Sequence, residues 1–254
     1  MSNQELHGEL EQPILATGTD EAEQAEEQGH SEERRRIFDA ETDGGAQITG
    51  PDRELQDRNF QGVIRALTTD FDDVLDEQAV EEAVNFTRER YEHTTRIQNM
   101  LPILVKRMVG EHLSADARLE GERATKRHLV LFLDGEDGVL GQMAAAIGHD
   151  YGNGRLLFAA RSIHEDPVPV DGDPAQVMRE NMVWRKAARP DAVDDSDLDH
   201  ADLVVTFSSD VHLPEGAADP EIWEIEDPQG KAMEQVREIF DALEERVLEL
   251  VERF

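Results

Sequence analysis

The chain has 254 residues, 58 of them acidic and 25 basic, which gives a formal net charge of −33, and it contains no cysteine. That length can bury one or two cores. The charge excludes the basic footprint that nucleic acid and anionic membrane surfaces require, and the lack of thiols excludes disulfides, thiolate metal sites and a thiol nucleophile.

Only four of the basic residues are lysines, Lys106, Lys126, Lys186 and Lys231. This acid-rich, lysine-poor balance resembles cytoplasmic proteins of extreme halophiles, where bulk salt screens self-repulsion. No apolar run approaches the roughly 18 residues of a membrane span. The N-terminus has neither the basic start nor the apolar stretch of a secretory leader. A cytoplasmic location is expected.

Residues 1–57 hold 16 acids and 4 arginines with few large apolar side chains, and they read as a disordered acidic tail. "RRRIF" at 34–38 reads as a charge spot within it. From 58 the period becomes helical. Phe60, Val63, Ile64 and Leu67 line one face. A second helix is capped by Asp76 and striped by Val80, Ala83, Val84, Thr87 and Tyr91. A third has Asn99 as its cap, Pro102 in its first turn, and Leu101, Leu104, Val105, Met108 and Leu113 on its face. A three-helix unit over 58–118 is marginal by itself, so it should dock on the next domain or on a second copy. A homodimer through this module and an unidentified protein partner are the expected associations. Residues 119–127 form a linker.

From 128 the pattern alternates between strand and helix. "HLVLFL" is a buried strand and "GQMAAAIGHD" a helix; "GRLLFAAR" at 154–161 is a second strand. "DPAQVMRENMVWRKAA" reads as a helix opened by Asp173, "ADLVVTFS" at 201–208 as a third strand, and "EIWEIED" at 221–227 as a fourth. The acidic run 191–202 reads as a solvated loop. Met233, Val236, Phe240, Leu243, Val247, Leu250 and Phe254 make a seam along the closing helix, expected to pack on the sheet. The fold class is α/β, a doubly wound four-stranded parallel sheet over 128–254 preceded by the helical module.

In such a sheet, ligands bind outside the carboxyl ends of the strands. "VLFLDGEDGVLGQMAAAI" is a strand, a glycine-rich loop and a helix, and "WEIEDPQG" is a late Asp-Pro segment. Together with "ADLVVTF", in this order and spacing, they resemble the low-molecular-weight tyrosine phosphatases and their arsenate-reductase relatives. The helices at 58–118 resemble the dimerisation domain that precedes this fold in some members. The resemblance places Asp134 at the family's nucleophilic cysteine, Leu140 at its loop arginine and Gly141 at its serine. Gly135, Glu136, Asp137, Gly138 and Val139 make up the rest of the phosphate loop. It places Asp227 at the general acid, although an aspartate before a proline is also a common turn residue.

The substitutions are chemically severe. The family attacks phosphorus with a thiolate and clamps the phosphate with a guanidinium. Leu140 can do neither, and a dianion would meet three loop acids. Arsenate reduction needs a redox-active thiol. A carboxylate from Asp134 or Asp137 can instead sit on the loop's N–H groups as a built-in substitute for phosphate, worth ~1 kcal/mol as an acid near a helix N-terminus. "FLDGEDGVL" also resembles the aspartate-nucleophile motif of haloacid-dehalogenase-type phosphatases, but aligning Asp137-Gly138 with it puts Gly135 at the nucleophile. The nine histidines show no metal pair at helical spacing, and neither a metal site nor a cofactor is expected. The reading is a non-catalytic binding or regulatory pseudophosphatase. The alternative is an active phosphate monoester hydrolase using Asp134 as an oxygen nucleophile with Mg²⁺.

Overall fold

The computed structural model describes residues 51–92, 100–121, 126–135, 138–211, 213 and 218–254. The first 50 residues of the expected tail, its "RRRIF" cluster and the Asn99 cap lie outside that set.

Three helices open the described chain: α1 (Pro51–Asp70), α2 (Glu77–Glu92) and α3 (Leu101–Leu119). α1 begins at Pro51 rather than at 58, which corrects the tail boundary. Proline is preorganised for a first helical turn. The added turns are polar apart from the exposed Leu55, with only Gln56 buried among residues 53–59, so no apolar period marks them. The predicted stripes are buried: Phe60, Val63, Ile64 and Leu67 meet Val80, Val84 and Tyr91, and both meet Leu101, Val105 and Met108. The Asp76 side chain accepts from the Ala79 N–H at 2.8 Å, the expected cap on α2.

The sheet follows as β1 (Leu129–Asp134), β2 (Leu157–Ser162), β3 (Leu203–Thr206) and β4 (Glu221–Ile222). All pairings are parallel, in the order β2-β1-β3-β4. Successive side chains of a strand face opposite sides. Val130 and Phe132 of β1 therefore join Phe158 and Val205 beneath α4 (Val139–Tyr151) and α7 (Met233–Glu252). Leu129, Leu131 and Leu133 join Leu157, Ala159 and Val204 on the other face. Because both faces are covered, β1 is apolar without alternation. The α7 seam from Val236 to Leu250 is buried on the first face, as expected, while Phe254 lies beyond the helix and is exposed.

The second face is closed by the helical module. Ala115 and Leu119 of α3 and Leu198 of α6 (Asp195–His200) pack on the leucines of β1. The module thus docks on the sheet of its own chain. Arg161 of β2 ties the layers together. Its Nη2 lies 2.8 Å from Asp116 of α3 and its Nε 3.3 Å from Asp197 of α6. Burial opposes the Arg161 charge, but the two carboxylates outweigh it and raise its pKa. Burial also raises Asp197, against the pull of Arg161. The ionised arrangement is the one that leaves no buried guanidinium unpaired.

Three further elements differ from the sequence reading, the first being the expected strand 221–227, of which only Glu221–Ile222 forms β4 because Glu224 takes φ 48°. The predicted helix after Asp173 stops early: α5 spans Gly172–Glu180, and a 3₁₀ turn follows at Trp184–Lys186. Met182 has φ 62°, a left-handed conformation that a helix cannot contain. Asp171, not Asp173, stands at its N-cap position. The acidic run at 191–202 is not a solvated loop. Asp194 and Asp197 form a reciprocal capping box that starts α6.

Since module and sheet share a core, Leu119→Ala should cost about 2–5 kcal/mol and shift one cooperative urea transition. Two separate transitions, with only the first shifted, would show that the module folds independently.

Candidate active-site loop

β1 delivers Asp134 to the carboxyl edge of the sheet, between Ser162 of β2 and the end of β3. The chain then turns into α4. Gly138 sits at the N-cap with φ 75°, a left-handed turn that glycine takes without a Cβ penalty. Gly141 lies where an added Cβ would come 3.3 Å from the Phe132 carbonyl and 3.7 Å from the Asp134 Cβ. A small residue there lets the helix start close against β1.

That approach brings the Asp134 carboxylate onto the first turn of α4. Its Oδ2 accepts from the Leu140 N–H at 2.9 Å and from the Gly141 N–H at 3.3 Å. The first N–H groups of a helix have no intrahelical partner and carry the positive end of its dipole. A bound oxyanion would take such donors; here a carboxylate of the chain itself takes two of them. Charge-assisted bonds of this kind are stronger than neutral ones. The Leu140 side chain is buried at 3% exposure and packs into the core below. The position that the resemblance assigns to a phosphate-clamping arginine therefore carries a core side chain.

Asp227 lies on the far wall of the same cleft, whose volume is ≈ 490 Å³. Its Oδ1 accepts from the Gln229 N–H at 2.8 Å, closing a turn over the buried Pro228. That is the turn role open to an aspartate before proline. The structure thus brings Asp134, Gly135, Leu140 and Asp227 to one cleft. Gly138, Val139 and Gly141 lie behind them in the loop and the first turn of α4. Glu136 and Asp137 lie outside the described residues, so the proposed seat for the Asp137 carboxylate does too.

Sequence reasoning missed two features. Asp210, Glu224 and Glu226 also line the cleft, and no lysine, arginine or histidine is among its described lining residues. Glu226 is bonded to Lys231 at 2.7 Å, which lowers its pKa. Five carboxylates around one opening repel a phosphate-like dianion. These acids come from three separate chain segments, and no local motif links them. The second feature is Gln142, buried beneath the loop. Its amide donates to the Gly138 and Val168 carbonyls at 3.1 and 2.9 Å and accepts from the Val170 N–H at 3.1 Å. It fixes the loop to the segment before α5. The glutamine of "QMA" is the available signal, but its partners are distant in sequence.

Among the described residues, no group of three or more His, Asp or Glu side chains could hold a metal ion, and no helix is long and apolar enough to cross a membrane. No family model matches the sequence. A putative arsenate reductase from Halobacterium salinarum is 34% identical over 96 residues, 37% of this chain and 63% of that protein. The chain thus spans less than two thirds of that relative's length. Among solved structures, a thioredoxin-dependent arsenate reductase from Corynebacterium glutamicum is 20% identical with a TM-score of 0.45, covering 77% of this chain and 96% of that one. An arsenate reductase in the reduced state is 24% identical with a TM-score of 0.44, covering 50% and 98%. Over 96 residues the chain is thus similar in sequence to a protein described as a putative arsenate reductase.

Proposed function

We propose that this chain is a non-catalytic binding or regulatory protein on an arsenate-reductase-like fold, its anion loop filled by its own carboxylate. The observation that carries this reading is the pair of hydrogen bonds from the Leu140 and Gly141 N–H groups to Asp134. The absence of cysteine supports it, since arsenate reduction moves two electrons through a thiol and these residues supply none. The acid-lined cleft supports it as well, because neither arsenate nor phosphate would find a cation there.

The other reading is a phosphate monoesterase in which Asp134 attacks phosphorus and Asp227 protonates the leaving group. Asp134 and Asp227 do line one cleft, which is the observation in its favour. Against it, each carboxylate already accepts backbone N–H bonds, and a second negative charge would have to approach Asp134 without compensation.

The assay that separates the readings is hydrolysis of p-nitrophenyl phosphate in concentrated salt with and without Mg²⁺, beside thiol-coupled arsenate reduction. The expected result is no turnover in either. Mg²⁺-dependent hydrolysis lost in both Asp134→Ala and Asp227→Ala would establish the phosphatase instead.

The filled loop has a consequence for stability. Asp134→Ala should destabilise by ~1–2 kcal/mol, the value of an acid bonded near a helix N-terminus. Phosphate or sulfate should then recover part of that loss in the variant at matched ionic strength, and have no such effect on the parent chain. Equal salt responses of the two proteins in thermal denaturation would contradict the proposal.

The same reading includes self-association through the helical module. Leu55, Met100 and Ile103 support it, being 52, 43 and 59% exposed. Sedimentation velocity should find a dimer that Ile103→Glu weakens; a monomer at all concentrations would refute the association.

A further inference from the structure

Two histidines meet where the helical module joins the sheet domain. His112 of α3 and His149 of α4 are both buried, and their rings meet edge to face with centroids 4.8 Å apart. His149 also packs edge-on against Phe158 of β2, at 5.7 Å. The His112 Nε2 lies 3.1 Å from the Lys186 carbonyl in the 3₁₀ turn. The His149 Nε2 is buried with no hydrogen-bond partner among the described residues.

We propose that the contact between α3 and the sheet domain is an acid-opened joint, worked by His112 and His149. Both rings are buried, and a proton on one puts a cation against the other. Most of the surrounding charges reinforce that. Arg90 of α2 faces His112, and Lys186 and Arg127 face His149. Asp116 of α3 attracts a proton to His112. However, Asp116 is also bonded to Arg161, Lys186 is paired with Asp150, and Arg127 with Glu111. The nearby carboxylates are therefore already engaged with cations.

Burial is the main cause that lowers both histidines below their ordinary range, His149 strongly. The neutral forms thus belong to the closed joint. A group with a depressed basic pKa leaves the closed state at full strength above the open-state value near ~6.5, and weakens it as pH falls below that. At the adjoining corner Trp184, in the 3₁₀ turn, has the guanidiniums of Arg90 and Arg179 each 4.4 Å from its ring. The sheet itself carries no histidine, and β1 is paired with β2 and β3 on both sides beneath the apolar layer of α4 and α7.

Hydrogen exchange of the full chain in constant concentrated salt, read by mass spectrometry, tests this. Between pH 7 and pH 5, after correction for intrinsic exchange chemistry, α3 should lose about 25-fold in protection, the roughly tenfold per pH unit of one displaced proton acting below an open-state value of ~6.5. β1 should keep its protection. His112→Gln should reduce the α3 effect, and His112→Gln with His149→Gln should remove it. If α3 and β1 lose protection together, or if α3 does not change, the joint does not exist. An unchanged pH profile in His112→Gln would also overturn it, without needing the double variant to fold.

Discussion

A helix that begins directly after a buried parallel strand presents N–H groups with no intrahelical partner, and something must accept from them. In this chain the acceptor is Asp134, the last residue of the strand itself. The surrounding loop follows from that bond. Gly141 lets the helix start close to β1, Gly138 turns the chain at the N-cap, and Gln142 fastens the turn to the segment before α5. A carboxylate in this position stabilises the loop at all times, whereas a transient oxyanion does so only when bound. It takes donors that an oxyanion would need, and five acids line the same cleft.

The helical module follows from a similar constraint. A parallel sheet must be covered on both faces, and the short α6 covers only part of the second. Ala115 and Leu119 of α3 supply the rest of the apolar cover. Arg161 then holds α3 and α6 at once through Asp116 and Asp197. With 58 acids and 25 bases, each buried cation is available to gather carboxylates, and many of the described arginines are used this way. Arg237 takes Glu180 on α5, and Arg253 takes Glu221 on β4. Exposed pairs of this sort contribute little individually; the buried Arg161 cluster sets the geometry.

Much of this was legible in the sequence because apolar spacing reports burial directly. The stripes Phe60 to Leu67, Val80 to Tyr91 and Val236 to Leu250 gave the helices, and the unbroken apolar run of β1 gave a central strand. The carboxylate seat was legible for Asp134 because strand, loop and helix were placed correctly around it. Legibility failed where structure rests on polar contacts. The start of α1 at Pro51 has no apolar period, and α6 is too short to show one, being specified instead by an Asp-x-x-Asp capping box. The break after Glu180 depends on the backbone of Met182, which no composition rule marks. β4 is two residues long because Glu224 takes a left-handed φ of 48°, although Trp223 and Ile225 still donate to the Thr206 and Phe207 carbonyls, and the acidic wall of the cleft begins at that break. That wall joins segments some ninety residues apart in the chain, between Asp134 and Asp227, so no window of sequence contains it.

The central claim is that Asp134 occupies the place of a bound oxyanion. A crystal structure of the chain grown and soaked in arsenate would test it most directly. The account predicts the Asp134 carboxylate on the Leu140 and Gly141 N–H groups, with no oxyanion in the loop. An arsenate held by those amides, with Asp134 turned aside, would contradict it and restore the loop to an anion-binding role.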